Sequence, residues 1–151
     1  MRPGRRLAVV AAVGAVPWVV VRTPDAPASL VASFGLIAPA TGRVTLVTTY
    51  LFELTRGLPA SLLAWPVASL LYAVALGSAA SGWSTGREDL RITGGLLVLV
   101  GASLLPLSLA LGRPAGVVAL PVGTAAGWLA AWWAYRHALR RIVTAGGAGG
   151  R

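Results

Sequence analysis

The chain has no cysteine and no lysine among its 151 residues. Without cysteine there is no disulfide, no thiolate nucleophile and no thiolate metal site. The 13 basic residues are therefore all arginine, and only Asp25, Glu53, Glu88 and Asp89 oppose them, which leaves a formal charge of +9. Such a charge often indicates nucleic-acid binding, but these arginines flank apolar runs. We predict that they orient the chain in a membrane and that it binds no nucleic acid.

Charged residues of any sign are scarce, at 11 % of the chain against 56 % hydrophobic residues. A soluble domain carries about twice that charged share, roughly 25 %. Four long apolar runs lack Lys, Arg, Asp and Glu altogether. They are residues 7–21, 58–80, 92–111 and 115–135.

The last three runs, of 23, 20 and 21 residues, are long enough to cross a hydrocarbon core of roughly 30 Å. The first has 15 residues and would be a short span. We therefore predict an all-α, polytopic membrane protein with four transmembrane helices, in contact with the lipid bilayer. Residues 1–141 would form the bundle, with an external segment at 22–57, and residues 142–151 a flexible cytoplasmic tail.

The first run has a second interpretation, as a signal peptide. Arg2, Arg5 and Arg6 precede an apolar stretch, and Ala26-Pro27-Ala28 resembles an A-x-A cleavage site. We favour a retained helix, because the following spans need a packing partner. Both interpretations leave the later helices oriented in the same way.

Orientation follows from the arginines beside the runs. A cytoplasmic N-terminus places nine arginines inside and four outside, which predicts a multi-pass cell-membrane protein with both termini cytoplasmic. In the external segment, Val44–Thr55 suits a short interfacial helix, or a strand because of its β-branched residues. Glu53 and Arg56 would meet on one face of that helix as an external ion pair.

Small residues recur every four positions in the last run, at Ala119, Gly123, Gly127 and Ala131. Such a stripe lets two helix backbones approach closely, which predicts helix packing along it. We favour packing within one bundle over a dimer interface. The third run is the expected neighbour, because only Gly112-Arg113-Pro114 separates it from the fourth.

Catalytic signals are weak. Gly82–Gly86 matches the G-x-S-x-G nucleophile elbow, which requires a strand-to-helix turn and a histidine base. Here the motif follows an apolar run, and His137 is the single histidine. There is no phosphate loop, and no Asp, Glu, His, Lys or Arg lies inside a run as coupled transporters require. We expect no enzyme activity, no metal and no cofactor.

Several short motifs between Thr55 and Arg141 resemble those of one membrane-protein family. They are Thr55-Arg56-Gly57-Leu58-Pro59, Leu63-Ala64-Trp65-Pro66, Leu70-Leu71-Tyr72-Ala73, Arg87-Glu88-Asp89, Ala119-Leu120-Pro121-Val122-Gly123-Thr124 and Trp132-Trp133. The family consists of small, functionally uncharacterised four-helix integral membrane proteins of halophilic archaea. Some members are associated with archaeosortase-type surface-protein processing, so the resemblance implies a role beside that machinery. It carries over no catalytic residue, since archaeosortases use a cysteine.

These observations together predict a non-enzymatic accessory or assembly subunit of a membrane complex, with another membrane protein as its partner. The alternative is a small transporter or channel subunit. The sequence leaves the oligomeric state open.

Overall fold

The computed structural model describes residues 1–53 and 63–146, and it shows helices together with a β-sheet. The elements in chain order are α1 (Pro3–Ala15), β1 (Val19–Thr23), β2 (Ala26–Val31), β3 (Gly35–Ala38), β4 (Arg43–Leu46), α2 (Val47–Glu53), α3 (Ala64–Thr85), α4 (Leu90–Leu111), β5 (Val118–Leu120) and α5 (Val122–Gly146). The expected all-α fold is therefore wrong, and the chain has a mixed α/β fold.

The five strands form one antiparallel sheet in the order β4-β3-β2-β1-β5. Consecutive hairpins build β1 to β4, and β5 joins from far along the chain, with Val20 opposite Leu120 and Val21 opposite Ala119. The described part of the segment expected to be external, residues 22–53, thus contains the end of β1, strands β2 to β4 and helix α2.

The first apolar run is not a membrane span. Helix α1 ends at Ala15, just before Pro17, whose ring and missing N–H oppose a continuing helix. The three valines that follow, at 19–21, are β-branched and enter β1, which has neighbours on both sides. The run reads as continuous because no charged residue separates the end of α1 from the valines of β1.

The fourth run, 115–135, is also not one span. Gly116 turns the chain at a φ of 80°, and β5 precedes Pro121. Helix α5 begins at Val122 and continues through Arg136 and Arg140 to Gly146. Residues 142–146 belong to this helix. Residues 147–151, the rest of the expected cytoplasmic tail, lie outside the described part of the chain, so its flexibility stays a prediction.

Only the two central runs survive as candidate spans within the described residues. Helices α3 and α4 are each 22 residues long and apolar enough to cross a membrane. They replace the predicted spans 58–80 and 92–111, with residues 58–62 outside the described part of the chain. The count of four spans is corrected to two.

Two clusters of buried side chains lie at opposite ends of the helices. The sheet-end core surrounds Trp18, where α1 meets β1 and α5 begins, and includes Trp65 and Leu104. The arginine-end core surrounds Tyr135 and includes Val10 and Leu97. The sheet thus covers one end of the helical layer, and the start of α1 and the α3–α4 loop lie at the other.

Candidate functional site at the arginine-end core

A buried polar network joins three elements at the arginine end. The Arg6 Nη1 of α1 donates to Glu88 Oε2 at 3.3 Å, and the Tyr135 hydroxyl of α5 donates to Glu88 Oε1 at 2.8 Å. The Glu88 side chain is 3 % exposed and that of Arg6 17 %. A carboxylate this buried needs partners on both oxygens, and here it has them. The network therefore ties α1 and α5 to the loop between α3 and α4.

Local sequence places Glu88 in this position. Gly86 ends α3 in the left-handed conformation, at a φ of 72°. Asp89 then begins α4, because its Oδ1 accepts from the backbone N–H of Arg91 at 2.9 Å and of Ile92 at 3.4 Å. Glu88 folds back against Gly82, where an added Cβ would lie 2.5 Å from the Glu88 Cβ. Glycine at 82 is thus required for the carboxylate to turn inward.

Tyr135 keeps its proton in this environment. Burial and, next, the hydrogen bond and charge of Glu88 raise the pKa of the Tyr135 hydroxyl above its ordinary value. The tyrosine is therefore a stable donor to the carboxylate. Both carboxylate oxygens of Glu88 are thus engaged, and the network links α1, the α3–α4 loop and α5.

A surface cleft of about 640 Å³ adjoins the network, with Arg87, Asp89, Arg91 and His137 on its walls. Its lining carries both signs of charge, since Glu88 and Asp89 face it with the arginines. In the described part of the chain no three His, Asp or Glu side chains lie close enough together to hold a metal ion.

The residues of the small-residue stripe occupy two different elements. Ala119 lies in β5, so it does not share a helix with the other three. An added Cβ at Gly123 would lie 2.8 Å from Trp18 Cα, and one at Gly127 would lie 3.1 Å from the carbonyl oxygen of Leu97 on α4. Ala131 is 1 % exposed. The two glycines thus face backbone of the same chain, and Gly123 N–H also donates to the Trp18 carbonyl at 2.8 Å.

The structure bears differently on two other features of the sequence, the Glu53–Arg56 ion pair and the G-x-S-x-G motif. Glu53 is the last residue of α2, and Arg56 lies outside the described residues, so the external ion pair stays a prediction. The G-x-S-x-G motif occupies the last turn of α3, where the Ser84 hydroxyl donates to the Ala80 carbonyl at 3.0 Å. That position is a helix end and not the strand-to-helix turn of a nucleophile elbow.

Sequence reasoning missed the network itself. It assigned the arginines, Arg6 among them, to membrane orientation and did not relate Arg6 to Glu88. The two residues are 82 positions apart, so no local spacing relates them. The one available signal was Gly82 in the last turn of α3, a small residue six positions before a carboxylate.

The fold and these contacts define a mixed α/β protein with two helices that could cross a membrane. The chain belongs to the family described as a domain of unknown function, DUF8050, whose model matches residues 1–145. The match includes α1, the whole sheet and nearly all of α5. No curated protein and no solved structure matches the chain.

Proposed function

We propose that the protein is an integral membrane protein held by the α3–α4 hairpin, and that it serves as a non-enzymatic accessory or assembly subunit of a membrane complex. The exposed surface of the hairpin carries this proposal. Only 28 % of the most apolar stretch of α3 and 39 % of that of α4 is buried. Leu70 is 67 % exposed and Leu109 71 %. Water disfavours such surface by about 25 cal/mol per Å², and a bilayer removes that penalty.

The arginines suggest the orientation. Eight arginines of the described residues lie at the arginine end. Their positions are the N-terminal segment with α1, the α3–α4 loop with the start of α4, and the second half of α5. The eight are Arg2, Arg5, Arg6, Arg87, Arg91, Arg136, Arg140 and Arg141. Three, Arg22, Arg43 and Arg113, lie at the sheet end. The excess favours a cytoplasmic arginine end, cytoplasmic termini and an external sheet.

The sheet supplies the surface that a partner would use. Its edge strands β4 and β5 each have one neighbour and expose apolar side chains, with Val44 52 %, Leu46 50 % and Val118 53 % exposed. Edge strands present backbone N–H and C=O groups to which another chain can add a strand. An external sheet would also suit the resemblance to membrane proteins associated with archaeosortase-type processing.

The proposal includes that residues 1–28 stay in the mature protein and are not cleaved as a signal peptide. Cleavage after Ala28 would remove α1, β1 and the fully buried Trp18. The purified protein should therefore have the intact mass of a chain that keeps residues 1–28. A mature N-terminus at Ser29 would contradict this.

Two measurements test the proposed function. The protein should stay in the membrane pellet after an alkaline carbonate wash, and release into the supernatant would contradict membrane insertion. From mild detergent it should then copurify with a second membrane protein. Val44→Glu with Leu46→Glu should remove that partner, whereas Thr41→Glu in the neighbouring turn should not. A homo-oligomer that conducts solute in vesicles would favour the transporter or channel alternative instead.

A further inference from the structure

We propose that a groove between α1 and α5 binds one anionic phospholipid, with its headgroup at the arginine end. This inference rests on the proposed membrane location. The groove has a volume of about 490 Å³. Its walls are apolar, with Val9, Val13 and Val16 on α1 and Ala126, Leu129 and Ala130 on α5. Such a surface suits a hydrocarbon chain.

The groove shares one lining residue, Trp133, with a second, basic pocket. That pocket has a volume of about 330 Å³ and is lined by Arg5, Arg136 and His137, with Trp133 common to both. No aspartate or glutamate is among its lining residues. Nearby, the Arg140 guanidinium lies 5.2 Å from the centre of the Trp132 ring, which brings a further positive charge to this end. An apolar groove with a cationic mouth is complementary to a phosphodiester that carries a hydrocarbon chain.

The length of the groove favours a lipid over a partner helix. From Val9 to Val16 the helix rises about 10 Å at 1.5 Å per residue. A hydrocarbon core is about 30 Å thick, so the groove lies within one leaflet. A partner helix that crossed the whole membrane would need a longer surface than this groove offers. The 640 Å³ cleft nearby is a poorer anion site, because Glu88 and Asp89 line it.

The preference for an anionic headgroup can be tested by measuring which lipids the purified protein binds in neutral detergent. Native mass spectrometry should show retained phosphatidylglycerol in preference to phosphatidylcholine with the same chains. Arg5→Gln with Arg136→Gln should weaken phosphatidylglycerol binding by roughly tenfold or more. Arg22→Gln with Arg43→Gln removes the same charge at the sheet end and should leave binding unchanged. Arg5→Lys with Arg136→Lys keeps the charge and should preserve the preference.

The chain-binding groove is tested separately. Ala126→Leu would fill the groove and should reduce retention of phosphatidylglycerol, whereas Ala125→Leu, exposed on the same helix outside the groove, should not. The lipid site would be refuted if the two glutamine pairs weakened phosphatidylglycerol binding equally, or if the protein showed no headgroup preference. Neither result would affect the evidence for membrane insertion from the carbonate wash. If Ala126→Leu spares lipid but releases a copurified protein, the groove is a protein interface. Release of the protein by carbonate would refute the membrane proposal itself.

Discussion

The sheet-end core and the arginine-end core satisfy their buried polar groups with different hydrogen-bond partners. At the sheet end, the indole N–H groups of two buried tryptophans donate to backbone carbonyls, Trp18 to Val13 and Trp65 to Ala32, both at 3.0 Å. At the arginine end, Glu88 accepts from two side chains on different helices. Where a helix changes into a strand, some backbone carbonyls lack a partner within the helix or sheet, and side-chain donors satisfy them. Where separate helices pack together, hydrogen bonds between their side chains link them.

The two cores therefore differ in what a substitution removes. Loss of a tryptophan takes away packing volume and a backbone partner together. Loss of a charge at the other end leaves its partner buried and unpaired. Variants of each core should separate the two kinds of stabilisation.

The largest loss is expected for Trp18→Ala, because Trp18 is fully buried and packs edge-on against Tyr72, with ring centres 5.6 Å apart. The cavity and the lost hydrogen bond should lower the free energy of unfolding by about 3–5 kcal/mol. Thermal unfolding in detergent measures this. Trp83→Ala, at a side chain that is 65 % exposed, should change it by roughly 0.5 kcal/mol. Equal effects of the two variants would refute the sheet-end core.

A smaller loss is expected for Glu88→Gln, which leaves the Arg6 charge without its carboxylate. The free energy of unfolding should fall by about 2–3 kcal/mol, less than for a fully buried pair because Arg6 keeps some exposure. Asp25→Asn, in the exposed β1–β2 turn, is the control. Arg6→Gln with Glu88→Gln should cost less than the sum of the single changes. Simple additivity would show that the ion pair contributes nothing.

The smallest change is expected for Gly123→Ala, since the new methyl group meets Trp18 backbone at 2.8 Å and a flexible Leu104 side chain at 2.7 Å. The chain must shift, which should lower stability by about 1–2 kcal/mol. Gly77→Ala on α3 has no heavy atom within 4 Å of its new Cβ and should stabilise by about 0.5–1 kcal/mol. The difference in melting temperature between these variants measures the contact. If both glycines accept alanine equally, the close approach to Trp18 does not exist.

The sequence predicted the two long apolar helices, with 92–111 close to the bounds of α4 and 58–80 ending five residues before α3 does. It failed where a run changes from helix to strand, because the three valines that begin β1 extend the apolar run of α1 with no charged residue between them. Pro17 and Pro121 stand beside those changes and were the available signals.

The contacts of the site were harder to predict. The spacing of Gly123 and Gly127 identifies positions where backbones can meet, but it does not identify Trp18 as the neighbour of Gly123. The structure buries Trp18 completely. The pairing of Arg6 with Glu88 depends on how α1 returns to the α3–α4 loop, which no local pattern encodes.

The central claim is that the two ends lie on opposite sides of a membrane. Because the chain has no cysteine, one can be introduced at exposed Thr41 in the β3–β4 turn and, separately, at exposed Ser84 near the end of α3. In intact cells a membrane-impermeant thiol reagent should label Thr41→Cys and spare Ser84→Cys, and both should react after the membrane is opened. Labelling of both positions in intact cells, or of Ser84→Cys alone, would contradict the account.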